Sequence, residues 1–192
     1  MILHFFLAFA LLDAQTGIEA AFSASYTSEK KGEYKDAIKA IESVYDASSY
    51  ELNLRMGWLQ YMSGFFQKSQ SYYKKAIQLM PLSIEAKFGI VYPVSAMGNW
   101  DEVILYYEEI LRIDPQNSVV NYRMGSIYYG NENYDKSFTY LEKVVNLYPF
   151  DYDGLILFAW CNLNLGKYKE AKALFHKSLL LNPDNSSAKE GL

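Results

Sequence analysis

The chain has 192 residues with a formal net charge of −4, and 51% of its residues are hydrophobic. This hydrophobic content is enough for an extended core, whereas the negative charge argues against nucleic-acid binding, which needs a basic face. The single cysteine, Cys161, excludes an intramolecular disulfide.

The first predicted element is the apolar segment 1–14, which begins MILHFFLAFALL. It is too short to cross a bilayer as a helix. Leu12 and Ala14 suit signal-peptidase cleavage before Gln15, although no Lys or Arg precedes them. The segment is therefore either a secretory signal or an apolar helix that caps the next element or associates with a membrane. A signal predicts a secreted, periplasmic or membrane-associated protein, and a structural helix allows a cytoplasmic one.

Two features recur along the rest of the chain at a nearly fixed interval. Prolines stand at positions 81, 115, 149 and 183, in equal steps of 34. Aromatic residues recur in steps of 32, 34, 34 and 34, as Tyr34, Phe66, Trp100, Tyr134 and Tyr168. A glycine lies two residues before four of these aromatics, and Glu132 takes its place before Tyr134. A period of this length is the signature of a repeat architecture.

The segment 121–149 shows the repeat most clearly, with Gly125, an aromatic one turn later at Tyr128, an aromatic at Tyr134 and the closing Pro149. On these anchors the chain resembles the tetratricopeptide repeat (TPR) family, whose unit is a helix–turn–helix of about 34 residues. The tryptophan usual near the start of the family's first helix is absent. The resemblance implies an all-α fold, a right-handed α-solenoid of helix–turn–helix repeats. We call the two helices of a repeat helix A and helix B.

Five repeats are predicted within residues 16–185. They span approximately 16–49, 50–83, 84–117, 118–151 and 152–185. Residues 186–192 look like the first two turns of a further, truncated helix A that begins to cap the last repeat. Because solenoids need a terminal repeat with a polar outer face, three alternatives follow for the last helix B. Its apolar face is partly open, the chain is truncated there, or a partner covers that face.

The sequence has no pattern of catalytic or metal-binding residues. The histidines are His4 and His176, and neither HExxH nor CxxC spacing occurs. Glu108 and Glu109 are adjacent, so their side chains point in different directions on a helix and do not form an acid–base pair. We therefore expect a protein that is not an enzyme and that uses no metal or cofactor.

The resemblance implies that helix A of each repeat lines the concave face, the surface such proteins use for binding. Most of the corresponding positions are aromatic here. The predicted groove consists of Phe22, Tyr26, Leu54, Trp58, Tyr61, Phe88, Tyr92, Tyr122, Arg123, Ser126, Tyr129, Ile156, Trp160 and Asn164. These side chains either anchor a bound peptide or fill space between successive A helices. The best candidates for exposure are Trp58, Tyr92, Tyr122 and Trp160.

The groove positions also predict the kind of partner. Family members that grip a peptide's terminal carboxylate resemble one another in a clamp of Lys, Asn and Arg, whereas these positions are mostly aromatic here, with Arg55 and Arg123 as nearby basic residues. We therefore expect a non-catalytic scaffold that binds an apolar or aromatic-rich peptide segment of another protein. The alternative is an assembly module that stacks on itself or docks on a larger envelope complex through its C-terminal end.

Overall fold

The computed structural model describes the backbone of residues 2–192 and the side chains of residues 16–192. The described part is all-helical. Its helices are α1 (Ile2–Lys30), α2 (Tyr34–Glu42), α3 (Tyr50–Met62), α4 (Phe66–Leu79), α5 (Ile84–Ala96), α6 (Trp100–Ile113), α7 (Ser118–Gly130), α8 (Tyr134–Leu147), α9 (Tyr152–Asn164), α10 (Tyr168–Leu181) and α11 (Ser186–Glu190). Within this part, none of the helices combines the length and the hydropathy that crossing a membrane requires.

The predicted cleavage before Gln15 and the predicted role of segment 1–14, as a secretory signal or an apolar helix, concern residues whose side chains lie outside the described part. Both stay predictions.

The helices alternate as A and B helices with the predicted period. The A helices α3, α5, α7 and α9 begin at positions 50, 84, 118 and 152, in the same steps as the prolines. Every B helix begins at one of the recurring aromatics, Tyr34, Phe66, Trp100, Tyr134 and Tyr168. The predicted fold class, consecutive helix–turn–helix repeats without strands, is confirmed for the described residues.

Each A helix after the first begins at a polar cap. The side chain of the cap residue accepts a hydrogen bond from the backbone N–H three residues later, which satisfies one of the donors that a helix start leaves unpaired. The cap residues are Ser49, Ser83, Asn117, Asp151 and Asn185. The repeat period is therefore also the period of a specific helix-start signal.

The turn from helix A to helix B needs one residue with left-handed backbone geometry. Glycine fills this position in four of the five turns, for example Gly98 with φ of 76°. The remaining turn, between α7 and α8, has Glu132 at this position with φ of 58°. This conformation strains a residue that carries a Cβ atom, because Cβ approaches the following carbonyl oxygen.

Replacing Glu132 by glycine should therefore stabilise the protein, with a gain of about 1 kcal/mol in the free energy of unfolding. Urea denaturation followed by circular dichroism measures this gain. The matched control is Glu132→Ala, which removes the same carboxylate but keeps the Cβ atom and hence the strain. An alanine variant as stable as the glycine variant would contradict the explanation from backbone geometry.

The chain forms two compact units, unit 1 (Met1–Tyr106) and unit 2 (Tyr107–Leu192). In unit 1, α2 packs against α1 and α3, and α4 packs against α3 and α5. Fully buried apolar side chains from α2 and α3 form the core of its first part: Ala37, Ile41, Leu52, Met56 and Leu59. Because α3 also contacts α5 directly, successive A helices in this unit lie side by side.

In unit 2, α8 packs against α7 and α9, and α10 packs against α9 and α11. The short α11 covers part of the last helix B, since Phe175 and Ala171 of α10 are buried together with Ala188 of α11. The apolar face of the last helix B, for which the sequence allowed three alternatives, is therefore covered by α11 at these residues. Leu180 of the same helix stays 72% exposed.

Candidate functional site

A cavity of about 690 Å³ lies in unit 1 among the A helices α1, α3 and α5. Six of the seven groove residues predicted for this unit line it: Phe22, Tyr26, Leu54, Trp58, Phe88 and Tyr92. Each helix contributes a pair four residues apart, and such a pair lies on one face of a helix. The seventh, Tyr61, packs against Trp58 and Tyr92, with ring centroids 5.8 Å and 5.4 Å away. In unit 1 the structure thus brings together side chains that the family resemblance had placed on one face.

The cavity has a wall built from a helix B residue, Tyr73 of α4. Tyr73 is only 3% exposed, and its ring lies between the backbones of Gly57 on α3 and Gly89 on α5. A Cβ atom at Gly57 would come within 2.9 Å of the ring, and one at Gly89 would overlap it. Burial raises the pKa of Tyr73 well above its ordinary value, so its hydroxyl stays neutral. The ring occupies the space that side chains at both glycines would fill.

One side of the cavity holds a buried ion pair. The guanidinium of Arg55 donates to Glu29 Oε2 at 2.5 Å and to Ser25 Oγ at 2.9 Å, and Arg55 is only 6% exposed. The same guanidinium lies 3.9 Å from the ring centroid of Tyr26. Trp58 Nε1 donates to the second carboxylate oxygen of Glu29. This network joins α1 to α3 and fixes the orientation of two of the aromatic groove residues.

The exposed rim of the cavity is acidic. Glu51 and Glu85 lie in the first turns of α3 and α5, at equivalent positions of consecutive repeats, and both line the cavity. Tyr50 Oη donates to Glu85 Oε2 at 3.1 Å and lies 2.7 Å from Ser83 Oγ. Burial raises the pKa of Tyr50, which keeps its hydroxyl available as a donor to the carboxylate.

The groove residues predicted in unit 2 divide into two groups. Tyr122 and Arg123 line a smaller cavity of about 360 Å³ together with Asp151 and Asp153. Burial raises the pKa of Tyr122. The other five contact their neighbours inside the unit or along their own helix: Ser126, Tyr129, Ile156, Trp160 and Asn164.

Trp160 illustrates the second group. Its Nε1 donates to Ser187 Oγ at 2.8 Å, and its ring meets Phe175 edge-on with the ring centroids 5.2 Å apart. Of the four residues predicted as most exposed, Tyr92 is 48% exposed, whereas Trp58, Tyr122 and Trp160 are half-buried. Of these four, Tyr92 is therefore the best placed to meet a ligand, and Trp160 acts mainly in packing.

The groove prediction missed the acidic side chains and Tyr73. Glu51 and Glu85 stand three residues before Leu54 and Phe88, on the same helix face as these predicted residues. Their recurrence at one repeat's distance was a readable signal. Tyr73 was harder to find, because it belongs to a helix B and enters the cavity only where two glycines leave room.

Comparison with known proteins agrees with this repeat architecture. The family model described as "Anaphase-promoting complex, cyclosome, subunit 3" matches residues 96–178. The TPR repeat-containing protein YpiA of Bacillus subtilis (strain 168) is 26% identical over 177 residues, which cover 91% of this chain and 41% of that protein. The chain thus spans about two fifths of the length of this curated relative.

Solved structures show the same fold. A tetratricopeptide repeat protein from Parabacteroides merdae ATCC 43184 superposes with a TM-score of 0.77 at 18% identity, covering 92% of this chain and 71% of that one. A MamA protein superposes with a TM-score of 0.72 at 19% identity, covering 85% of this chain and 90% of the other.

The fold, the 34-residue period and the comparisons together define a helical repeat protein. The chain is similar to tetratricopeptide repeat proteins over most of its length and shares the fold of their helix–turn–helix repeats, in line with the resemblance seen in the sequence. Repeats of this type are generally non-catalytic modules through which proteins contact one another.

Proposed function

We propose that this chain is a non-catalytic scaffold that binds a peptide segment of another protein in the unit 1 cavity. The observation that carries the proposal is a set of aromatic rings that face one cavity while neighbouring groups hold them in place. Tyr26 and Tyr92 are each about half exposed there, and Arg55 and Trp58 respectively lie against their rings. Rigid aromatic side chains at a cavity are the usual anchors of protein recognition, because ordering them on binding costs little entropy.

The size of the cavity supports a short segment as the ligand. A volume of about 690 Å³ lies within the range of sites that enclose a small molecule or a few side chains. Its lining comes mostly from apolar and aromatic groups, so burial of apolar ligand surface supplies the affinity. An extended or helical peptide that inserts two or three apolar side chains fits these dimensions.

The charges in the cavity speak against a ligand held by its terminal carboxylate. In the described lining of the cavity, the cation that could bind such a carboxylate is the guanidinium of Arg55. It is already paired with Glu29 and lies over the ring of Tyr26. A peptide carboxylate would also meet the exposed carboxylates of Glu51 and Glu85. The apolar and aromatic peptide expected from the sequence suits this environment better.

The proposal predicts a specific loss of affinity in the variant Tyr92→Ala. Peptides are first selected from a random peptide library against the full chain, and their affinities are then measured by fluorescence anisotropy. We expect Tyr92→Ala to weaken binding by about thirtyfold, the loss typical of an aromatic hot spot. Trp58 is less suitable for this test, because its indole N–H also holds Glu29 in place.

The matched control is Tyr168→Ala, which removes a tyrosine that is 69% exposed on α10 in unit 2. It should leave both the affinity and the helical circular dichroism unchanged. Failure to select any peptide, or equal affinity of the wild type and Tyr92→Ala, would overturn the proposed function.

The alternative function, docking through the last helix pair, has less support. Because α11 already covers Phe175 and Ala171, the large apolar side chains of α10 that stay exposed are Tyr168, Leu180 and Leu181. Sedimentation of the same preparations at several concentrations separates the two functions, since self-stacking requires a concentration-dependent mass.

A further inference from the structure

We propose that the unit 1 cavity selects a basic residue, lysine or arginine, beside the apolar side chains of its peptide. This inference rests on the proposed function and adds the charge of the partner to it. The observation behind it is that three carboxylates line the same cavity as the aromatic rings, those of Glu29, Glu51 and Glu85.

The charge of Glu29 is compensated within the protein. Its carboxylate pairs with Arg55 at 2.5 Å and accepts a further hydrogen bond from Trp58 Nε1. The charges of Glu29 and Arg55 therefore neutralise each other. Among the described residues that line the cavity, no other Lys or Arg side chain is present. The electrostatic character of the cavity depends on the other two carboxylates.

Glu51 and Glu85 have neutral partners. Ser49 Oγ donates to Glu51 at 3.0 Å, and Tyr50 Oη donates to Glu85 at 3.1 Å. Among the described residues, neither carboxylate forms a salt bridge with a Lys or Arg side chain. The rim thus carries two formal negative charges that these neighbours do not neutralise. A cationic ligand group would gain from this charge, and an anionic group would be repelled.

The aromatic residues of the cavity add a second attraction for a cation. A guanidinium or ammonium group over the face of a tyrosine or tryptophan is stabilised by the ring quadrupole. The protein already uses this geometry within the site, where the guanidinium of Arg55 lies 3.9 Å from the ring centroid of Tyr26. Tyr92 offers a further, half-exposed ring in the same cavity as Glu85. A lysine or arginine side chain can place its apolar stem among the rings and its charge near the carboxylates.

The test compares selections from the same random peptide library with the full-length wild type and with the double variant Glu51→Gln/Glu85→Gln. Peptides selected by the wild type should be enriched in apolar or aromatic residues and also in Lys or Arg. The double variant should retain the first enrichment and lose the second. For one selected peptide, replacement of its basic residue by norleucine should weaken binding to the wild type by about tenfold and binding to the double variant hardly at all. Raising the salt concentration should weaken only the charged peptide on the wild type.

The matched control is Glu142→Gln/Glu170→Gln, which changes the net charge equally through two exposed glutamates of unit 2. It should behave as the wild type does. Selected peptides without an excess of Lys or Arg, or an excess that persists in Glu51→Gln/Glu85→Gln, would overturn the inference while the proposed function stands. Absence of any selected peptide would overturn both.

Discussion

Replacing Glu29 by leucine should lower the free energy of unfolding of the full chain by about 3 kcal/mol, because it leaves the buried guanidinium of Arg55 without its anionic partner. Arg55 is 6% exposed and would keep Ser25 Oγ and the ring of Tyr26 as partners. The loss is at the low end for a broken buried pair, since the Glu29 side chain itself is 20% exposed. Urea denaturation followed by circular dichroism measures it.

The matched control is Glu51→Leu, the same substitution at an exposed glutamate of the same cavity whose carboxylate accepts from a serine hydroxyl. Its effect on stability should be close to zero. The double variant Arg55→Met/Glu29→Leu should recover most of the loss, since replacing both charges of a buried pair by apolar groups is often neutral. If Glu29→Leu and Glu51→Leu proved equally stable, the ion pair would have no structural role.

The helices of this chain were predictable because their signals are local and recur. Prolines follow the last four B helices, glycines or Glu132 take the left-handed position in the five turns, and these signals recur at the repeat interval. A chain that repeats its helix ends at a constant interval specifies its helix pairs without reference to distant contacts. For the same reason, side chains at positions such as 54 and 88 could be assigned to one face from the sequence alone.

The candidate site was predictable only in part, because burial depends on the next element along the chain. Trp58 and Trp160 occupy equivalent groove positions three repeats apart, yet Trp58 lines the unit 1 cavity, whereas Trp160 contacts Ser187 and packs on Phe175. Neither the residue type of Trp160 nor its position in the helix period predicts these contacts with Ser187 and Phe175. Similarly, the position of Tyr73 follows from the absence of side chains at two glycines, which is a tertiary effect.

Because the ring of Tyr73 lies against the backbone of α5, Gly89→Ala should lower the free energy of unfolding by about 2 to 3 kcal/mol. In an exposed helix interior the same change would stabilise by about 1 kcal/mol. Here the new Cβ atom would overlap the Tyr73 ring, and the ring cannot retreat because the backbone of Gly57 lies on its other side. The matched control is Gly130→Ala in α7, where none of the described neighbours lies within 4 Å of the added atom.

Unit 2 contains the arrangement that should relieve this clash. At the repeat position of Tyr73 it has Leu141, next to Gly125, and at the position of Gly89 it has Leu157, which packs against the buried cluster that contains Leu141. A leucine in helix B is thus compatible with a side chain on the following helix A. The double variant Tyr73→Leu/Gly89→Ala should therefore be at least as stable as Tyr73→Leu alone, because alanine then adds its helix propensity without a clash. An alanine that cost as much in the Tyr73→Leu background as beside the native tyrosine would show that the strain lies in α5 itself and not in its contact with the ring.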